Sequence, residues 1–228
     1  MTAAQNRGDA IYASLRRAII EQALKPGVKL PEDQIGEAYG VSRTGVRNAL
    51  VRLAAESLVE MRPNRGAAVA TPTIEEAQDA FDIRQFLERE VVSRLCQRMS
   101  KDAIDALEAH IREEERALRS SPPRAIRLAG EFHILLAELT GSRTLSDYVN
   151  RSVSRCSLIL AAFARPHSAE CGLDEHRRIV EALRDQDADA ATRIMEAHIG
   201  SVRDRAFPEE GSAEPDIQAI LSRYASAG

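Results

Sequence analysis

The sequence predicts a mainly α protein in two parts, an N-terminal winged helix-turn-helix followed by an all-α antiparallel helical bundle. Three observations predict it. Aromatics make up only 4% of the 228 residues, Trp is absent, and Ala, Leu, Arg and Glu abound, a composition suited to helix packing. In the stretch from Val41 to Leu53, Val46, Ala49, Leu50 and Leu53 share one helical side while Arg43, Thr44, Arg47 and Asn48 share the other. Any surface helix divides in this way, so the setting carries more weight. A short helical pattern and a tight Tyr39-Gly40-Val41 turn precede the stretch, and a basic glycine turn, Pro63-Asn64-Arg65-Gly66, follows it. That order is a helix-turn-helix with a wing.

Ile11, Leu15, Ala18 and Ile19 line a first helix that ends near Gln22, where Lys25-Pro26-Gly27 breaks the pattern. Leu30-Pro31-Glu32-Asp33 leads into a second helix carrying Ile35 and Ala38, and the third runs from Arg43 to about Glu56. Leu58–Met61 and Ala67–Ala70 read as short strands around the glycine turn. At Thr71-Pro72-Thr73 the character changes. Pro72 blocks helix propagation, Thr73 with Glu76 forms a capping box, and helical patterns follow. The expected units are 1–72, 73–207 and a tail, 208–228, with a short amphipathic segment around Ile217, Ile220, Leu221 and Tyr224. Within the second unit helices are expected at roughly 75–99, 101–119, 123–140, 143–164, 173–185 and 188–206. Ser100, Ser121 before Pro122, Ser142 and Asp187 are the start signals.

The net charge of −4 hides a split. Residues 1–72 hold ten Lys and Arg against seven Asp and Glu, net +3; the remainder holds 21 against 28, net −7. A basic head on an acidic body suits a protein whose head alone meets phosphate. Cys96, Cys156 and Cys171 are too few and scattered for a disulfide framework and read as buried thiols of a reduced compartment. No apolar run approaches membrane length, so a cytoplasmic protein without a membrane partner is expected.

Several motifs carry a family resemblance. Pro26-Gly27-Val28-Lys29-Leu30-Pro31, the run from Val41 to Leu50, and Arg62-Pro63-Asn64-Arg65-Gly66 resemble the winged helix of GntR-family regulators. Arg84-x-x-x-Glu88, Phe132-His133, Glu175-His176 and Met195-Glu196-Ala197-His198 resemble the FCD effector domain of the FadR-like subfamily. The resemblance implies a homodimeric transcriptional regulator, usually a repressor, that binds a double-stranded DNA operator and responds to a small carboxylate effector. Gln34, Gly45, Asn48 and Ser57 depart from residues usual in the family, which are Arg, Pro, Glu and Gly at these places. Those changes leave DNA binding expected but alter the operator it would read.

On this reading the third helix enters the major groove. Ser42 and Thr44 with the helix N-terminus hold phosphate, while Arg43 and Arg47 reach guanine edges or phosphates. Gly45 lets the backbone come close, Asn48 offers an amide that can pair with adenine, and Arg65 with Gly66 forms a wing tip for the minor groove. Either arginine alone reads as a solvated helix charge. Turn, wing and family pattern together favour DNA contact.

In the second unit, Arg84 and Glu88 lie within the apolar side marked by Ala77, Phe81, Leu87, Val91 and Leu95. They read either as an internal ion pair or as a fork for a carboxylate ligand, Glu88 holding Arg84; the resemblance favours the fork. His133, His176 and His198 point inward from three helices, while His110 and His167 fall at an edge and in a loop. One inward histidine is ordinarily a core residue; three suggest a shared site for Zn or Ni with open positions. Metal-binding FCD domains typically add an Asp one turn before the first His, where this chain has Ala129. A metal-free pocket binding the acid directly stays open, as do a three-His metal-dependent enzyme and a helical interaction scaffold.

Overall fold

The computed structural model describes residues 3–63, 65–163 and 170–207, the side chains of 3–6, 170 and 171 excepted. The elements run α1 (Ala3–Ile20), β1 (Lys29–Leu30), α2 (Glu32–Tyr39), α3 (Arg43–Ala55), β2 (Val59–Arg62) and β3 (Gly66–Val69). They continue through α4 (Ile74–Cys96), α5 (Lys101–Ser120), α6 (Pro122–Leu139), α7 (Arg143–Phe163), α8 (Glu170–Arg184) and α9 (Ala188–Ala206).

In the head, α1 and α3 bury Ile11, Leu15, Ile19, Val46, Leu50 and Leu53 against one another. The turn between α2 and α3 follows from two glycines. Gly40 caps α2 in the left-handed region at φ 61°, and a Cβ on Gly36 would fall 2.7 Å from the Val41 carbonyl oxygen. Gly36 is therefore the buried residue of α2, whereas Ala38, expected to help carry its packing, is exposed. Ser42 caps α3 by accepting from the Gly45 amide at 3.4 Å. The wing strands form, and a third strand joins them in the antiparallel order β1-β3-β2. Val59 pairs with Val69 and Arg62 with Gly66, while Lys29 pairs with Ala68. Only two residues long, β1 offers no alternation from which to predict it.

The body opens on the expected capping box, with Thr73 and Glu76 bonding reciprocally. Ser100 and Asp187 cap α5 and α9, Ser142 accepts from the Leu145 amide, and Pro122 starts α6 without a side-chain bond from Ser121. The core gathers Phe81, Leu95, Leu107, Phe132, Leu136 and Ile179 from α4, α5, α6 and α8. Gly130 lets α6 approach α7 closely, since a Cβ there would sit 3.1 Å from Val153 Cγ1. Cys96 and Cys156 are buried; Cys171's side chain, His167 and the tail lie outside what is described. Among the described residues no helix is long and apolar enough to cross a membrane.

Helix α7 joins the two halves. Its Leu158 is fully buried within the head's core cluster. Arg16 on α1 donates through Nη2 to Asn150 Oδ1 and Ser154 Oγ, each at 2.5 Å, and through Nε to Glu56 at 3.2 Å. Arg155 reaches the Ser57 carbonyl at 2.6 Å and Glu76 at 3.1 Å. From α6, Arg127 bonds Glu21 at 2.8 Å.

Candidate functional site

Two sites emerge, one in each half. Between α3 and the wing lies a cleft of about 750 Å³ with five cations, Lys29, Arg43, Arg47, Arg62 and Arg65, on its walls beside Glu32 and Asp33. Ser42, Arg43, Thr44, Arg47 and Asn48 are exposed on α3, while Arg65 and Gly66 lie exposed where β3 begins. Gly45 is half-buried, and a Cβ on it would overlap Val41 Cγ1, so the fold itself gives a reason for glycine there. Gly66 sits at φ 78°, as the turn into β3 requires. Arg43 is paired with Asp33, a partner the sequence did not suggest because it comes from the neighbouring helix.

The second site is built from α6, α8 and α9, with α4 and α5 behind them. His133, His176 and His198 are 2%, 1% and 3% exposed, and one nitrogen from each lies within 4.8 Å of the others. The ring nitrogens facing away from the cluster each have a carboxylate partner. His133 Nδ1 bonds Glu88, His176 Nδ1 bonds Glu114 at 3.0 Å, and His198 Nδ1 bonds Glu175 at 2.6 Å. Neither the pairing of Glu114 with His176 nor that of Glu175 with His198 was read from the sequence. Glu114 continues the apolar stripe of Ile104, Leu107 and Ile111, the same signal that marked Glu88.

The protonation pattern follows from these partners. Burial opposes the charge of Glu88, but His133 and Arg84 outweigh it and hold its carboxyl down to about 2. Burial drives His133 down to about 4. His198 falls to about 3, through burial and then the neighbouring His176 and His133. At neutral pH these two rings are uncharged. An ionised carboxylate only accepts, so the protons of the His133 and His198 rings belong on Nδ1 and their Nε2 atoms offer lone pairs. His133 Nε2 and His198 Nε2 stand 3.2 Å apart, and His176 Nε2 is buried without a hydrogen-bond partner among the described residues. Lone pairs converging in a buried space, each ring backed by a carboxylate, fit a divalent cation. Ala129 supplies no ligand.

Arg84 is 4% exposed and donates through Nε to Glu88 Oε1 at 2.6 Å, the ion pair that was one of the two readings of these residues. Glu88 thus links Arg84 to His133. Cys156 packs beside Arg84, and burial pushes its thiol up to about 11, which keeps it protonated and unreactive. His110 bonds the Leu128 carbonyl at 2.9 Å, a structural role.

A winged helix-turn-helix with a cationic cleft, joined to an all-α body, is the architecture of a DNA-binding transcriptional regulator. Residues 7–69 match the bacterial regulatory proteins of the gntR family and residues 79–201 match the FCD domain, so the chain belongs to the GntR family and carries an FCD domain. It is 28% identical over 192 residues to the uncharacterized HTH-type transcriptional regulator YdhC of Bacillus subtilis, covering 82% of this chain and 85% of that one. It is 27% identical over 194 residues to the HTH-type transcriptional repressor RspR of Escherichia coli, covering 84% and 85%. Among solved structures, E. coli McbR/YncC superposes with a TM-score of 0.77 over 98% of this chain and all of that one, at 17% identity, a likeness of fold alone. The family and these relatives are regulators, not enzymes, so the enzyme reading of the three histidines is set aside.

Proposed function

We propose that this regulator is a cytoplasmic, homodimeric repressor whose grip on operator DNA is set by a divalent metal and a small organic acid in its body. The observation that carries the reading is the convergence of three buried histidines, each backed by a glutamate, in a chain that also bears a recognition helix. His133, His176 and His198 would hold Zn or Ni, which would polarise and bind the effector's carboxylate at its open positions. Arg84 would add positive charge beside that carboxylate, while Glu88, Glu114 and Glu175 keep the rings oriented.

On the DNA side, Ser42 and Thr44 would hold phosphate at the start of α3. Arg43, Arg47 and Asn48 would meet base edges, with Gly45 keeping the helix close, and Arg65 with Gly66 would enter the minor groove. The head is taken as 1–72, the sensing body as 73–207 and the tail as 208–228. The exposed Ile83 and Phe86, one turn apart on α4, support a second copy on this face. A relative described as a repressor supports repression.

Coupling runs through α7. One stretch of it touches Arg84 through Cys156, and adjacent residues, Ser154, Arg155 and Leu158, hold the head. A shift of the body helices on ligand binding would therefore move the heads relative to one another. Metal analysis of the reconstituted protein tests the reading: one zinc or nickel ion per chain is expected, and its loss in His133→Ala. A chain that takes up no metal under any loading condition would overturn the metal assignment and favour direct binding of the acid by the same residues.

A further inference from the structure

We propose that Asp33 is a specificity-determining residue of the DNA-binding head, holding Arg43 side-on so that the free end of its guanidinium reads guanine. The inference rests on the reading that Arg43 meets a base edge. The arginines of the cleft differ sharply in their partners. Arg47 and Arg65 make no side-chain hydrogen bond or ion pair among the described residues, whereas Arg43 is gripped twice by one carboxylate. Its Nε faces Asp33 Oδ1, and its Nη2 donates to Asp33 Oδ2 at 2.8 Å.

The guanidinium is a planar fork with five N–H groups. Asp33 occupies the edge formed by Nε and Nη2, which leaves the end formed by Nη1 and Nη2 with a pair of parallel N–H groups. That end matches the O6 and N7 acceptors of guanine in the major groove. The two residues are set by backbone, not chance. Asp33 lies in the first turn of α2 and Arg43 is the first residue of α3. Gly36 and Val41 fix the turn between those helices, since the Val41 amide bonds the Gly36 carbonyl at 2.9 Å.

A carboxylate on a cationic DNA-facing wall needs a reason, because it repels phosphate. That repulsion falls on every sequence alike, while an ordered arginine rewards only the site that presents guanine; the difference is specificity. In water the pair is weak, with side chains 75% and 63% exposed. Against DNA, with water displaced, it strengthens, and an arginine already held loses less side-chain freedom on binding.

Full-length wild type, Asp33→Asn and Arg43→Ala would each select from a duplex pool with a randomised core. Arg43→Ala is expected to erase a guanine preference at one position of each half-site. Asp33→Asn is expected to weaken that preference by about 5- to 100-fold at the same position, with unselected duplex bound as well as or better than by wild type. Thermal melts matching wild type for both surface variants keep the comparison about recognition. If Asp33→Asn tightens binding to all duplexes and leaves the guanine preference intact, Asp33 is only a brake on phosphate contact and the proposal fails. If Arg43→Ala changes no base preference, the base-reading role of Arg43 fails first, a result the Asp33 variant alone cannot mimic.

Discussion

Ser57 shows how one residue can record a local conflict. It follows α3 at φ 57°, a left-handed conformation that favours glycine, and its carbonyl is held there by Arg155. Ser57→Gly is expected to stabilise the protein by about 0.5–1 kcal/mol, read as a raised melting temperature. At the histidine site Glu114 has the opposite character, a buried acid whose role is to fix the His176 ring. Glu114→Gln should leave the fold intact but weaken zinc binding by about 10- to 100-fold in a competition titration; unchanged affinity would remove Glu114 from the site. Single residues were unevenly legible in the sequence. Arg84, Glu88 and the three inward histidines stood out as polar residues inside apolar stripes. Glu114 carried the same signal, but Glu108, Glu113 and Glu115 on the same helix obscured it. Partners were not legible at all: periodicity assigns a side chain to a face, never to another helix's residue, as Asp33 with Arg43 and Arg16 with Ser154 show.

At the scale of elements the reading was better where apolar spacing ran over several turns. The helices of the body and the recognition helix form close to the expected bounds because each has a long apolar stripe to bury. Short elements escaped. The two-residue β1 exists only because β3 offers it a partner, and α2 packs through Gly36, which no hydrophobic pattern marks. The importance of α7, which the sequence did not mark, is a matter of contacts, not composition. Arg16 ties α1 to it through Asn150 and Ser154 while Leu158 plugs the head's core. Arg16→Ala is therefore predicted to keep zinc affinity at the wild-type value while reducing zinc's effect on DNA binding severalfold. An undiminished zinc effect would mean that the signal leaves the body by another route.

At the scale of the whole molecule, a basic head and an acidic body fit the proposed division between DNA and effector. The outer stripe of α4 leaves Phe86 74% exposed and Ile83 55% exposed, an apolar pair that the proposed second copy would cover. Phe86→Glu should shift sedimentation from dimer toward monomer and lower operator affinity, since two linked heads bind more tightly than one; a monomeric wild type would dismiss this interface. The account's central claim is that filling the three-histidine site changes how the heads hold DNA. Fluorescence anisotropy with a pool-selected duplex, for metal-free protein with and without added zinc, tests it most directly. The predicted result is a change in wild-type affinity of about 5- to 150-fold, the range of typical allosteric coupling, that disappears in His176→Ala. Equal affinity with and without zinc in a wild-type protein that has bound the ion would contradict it.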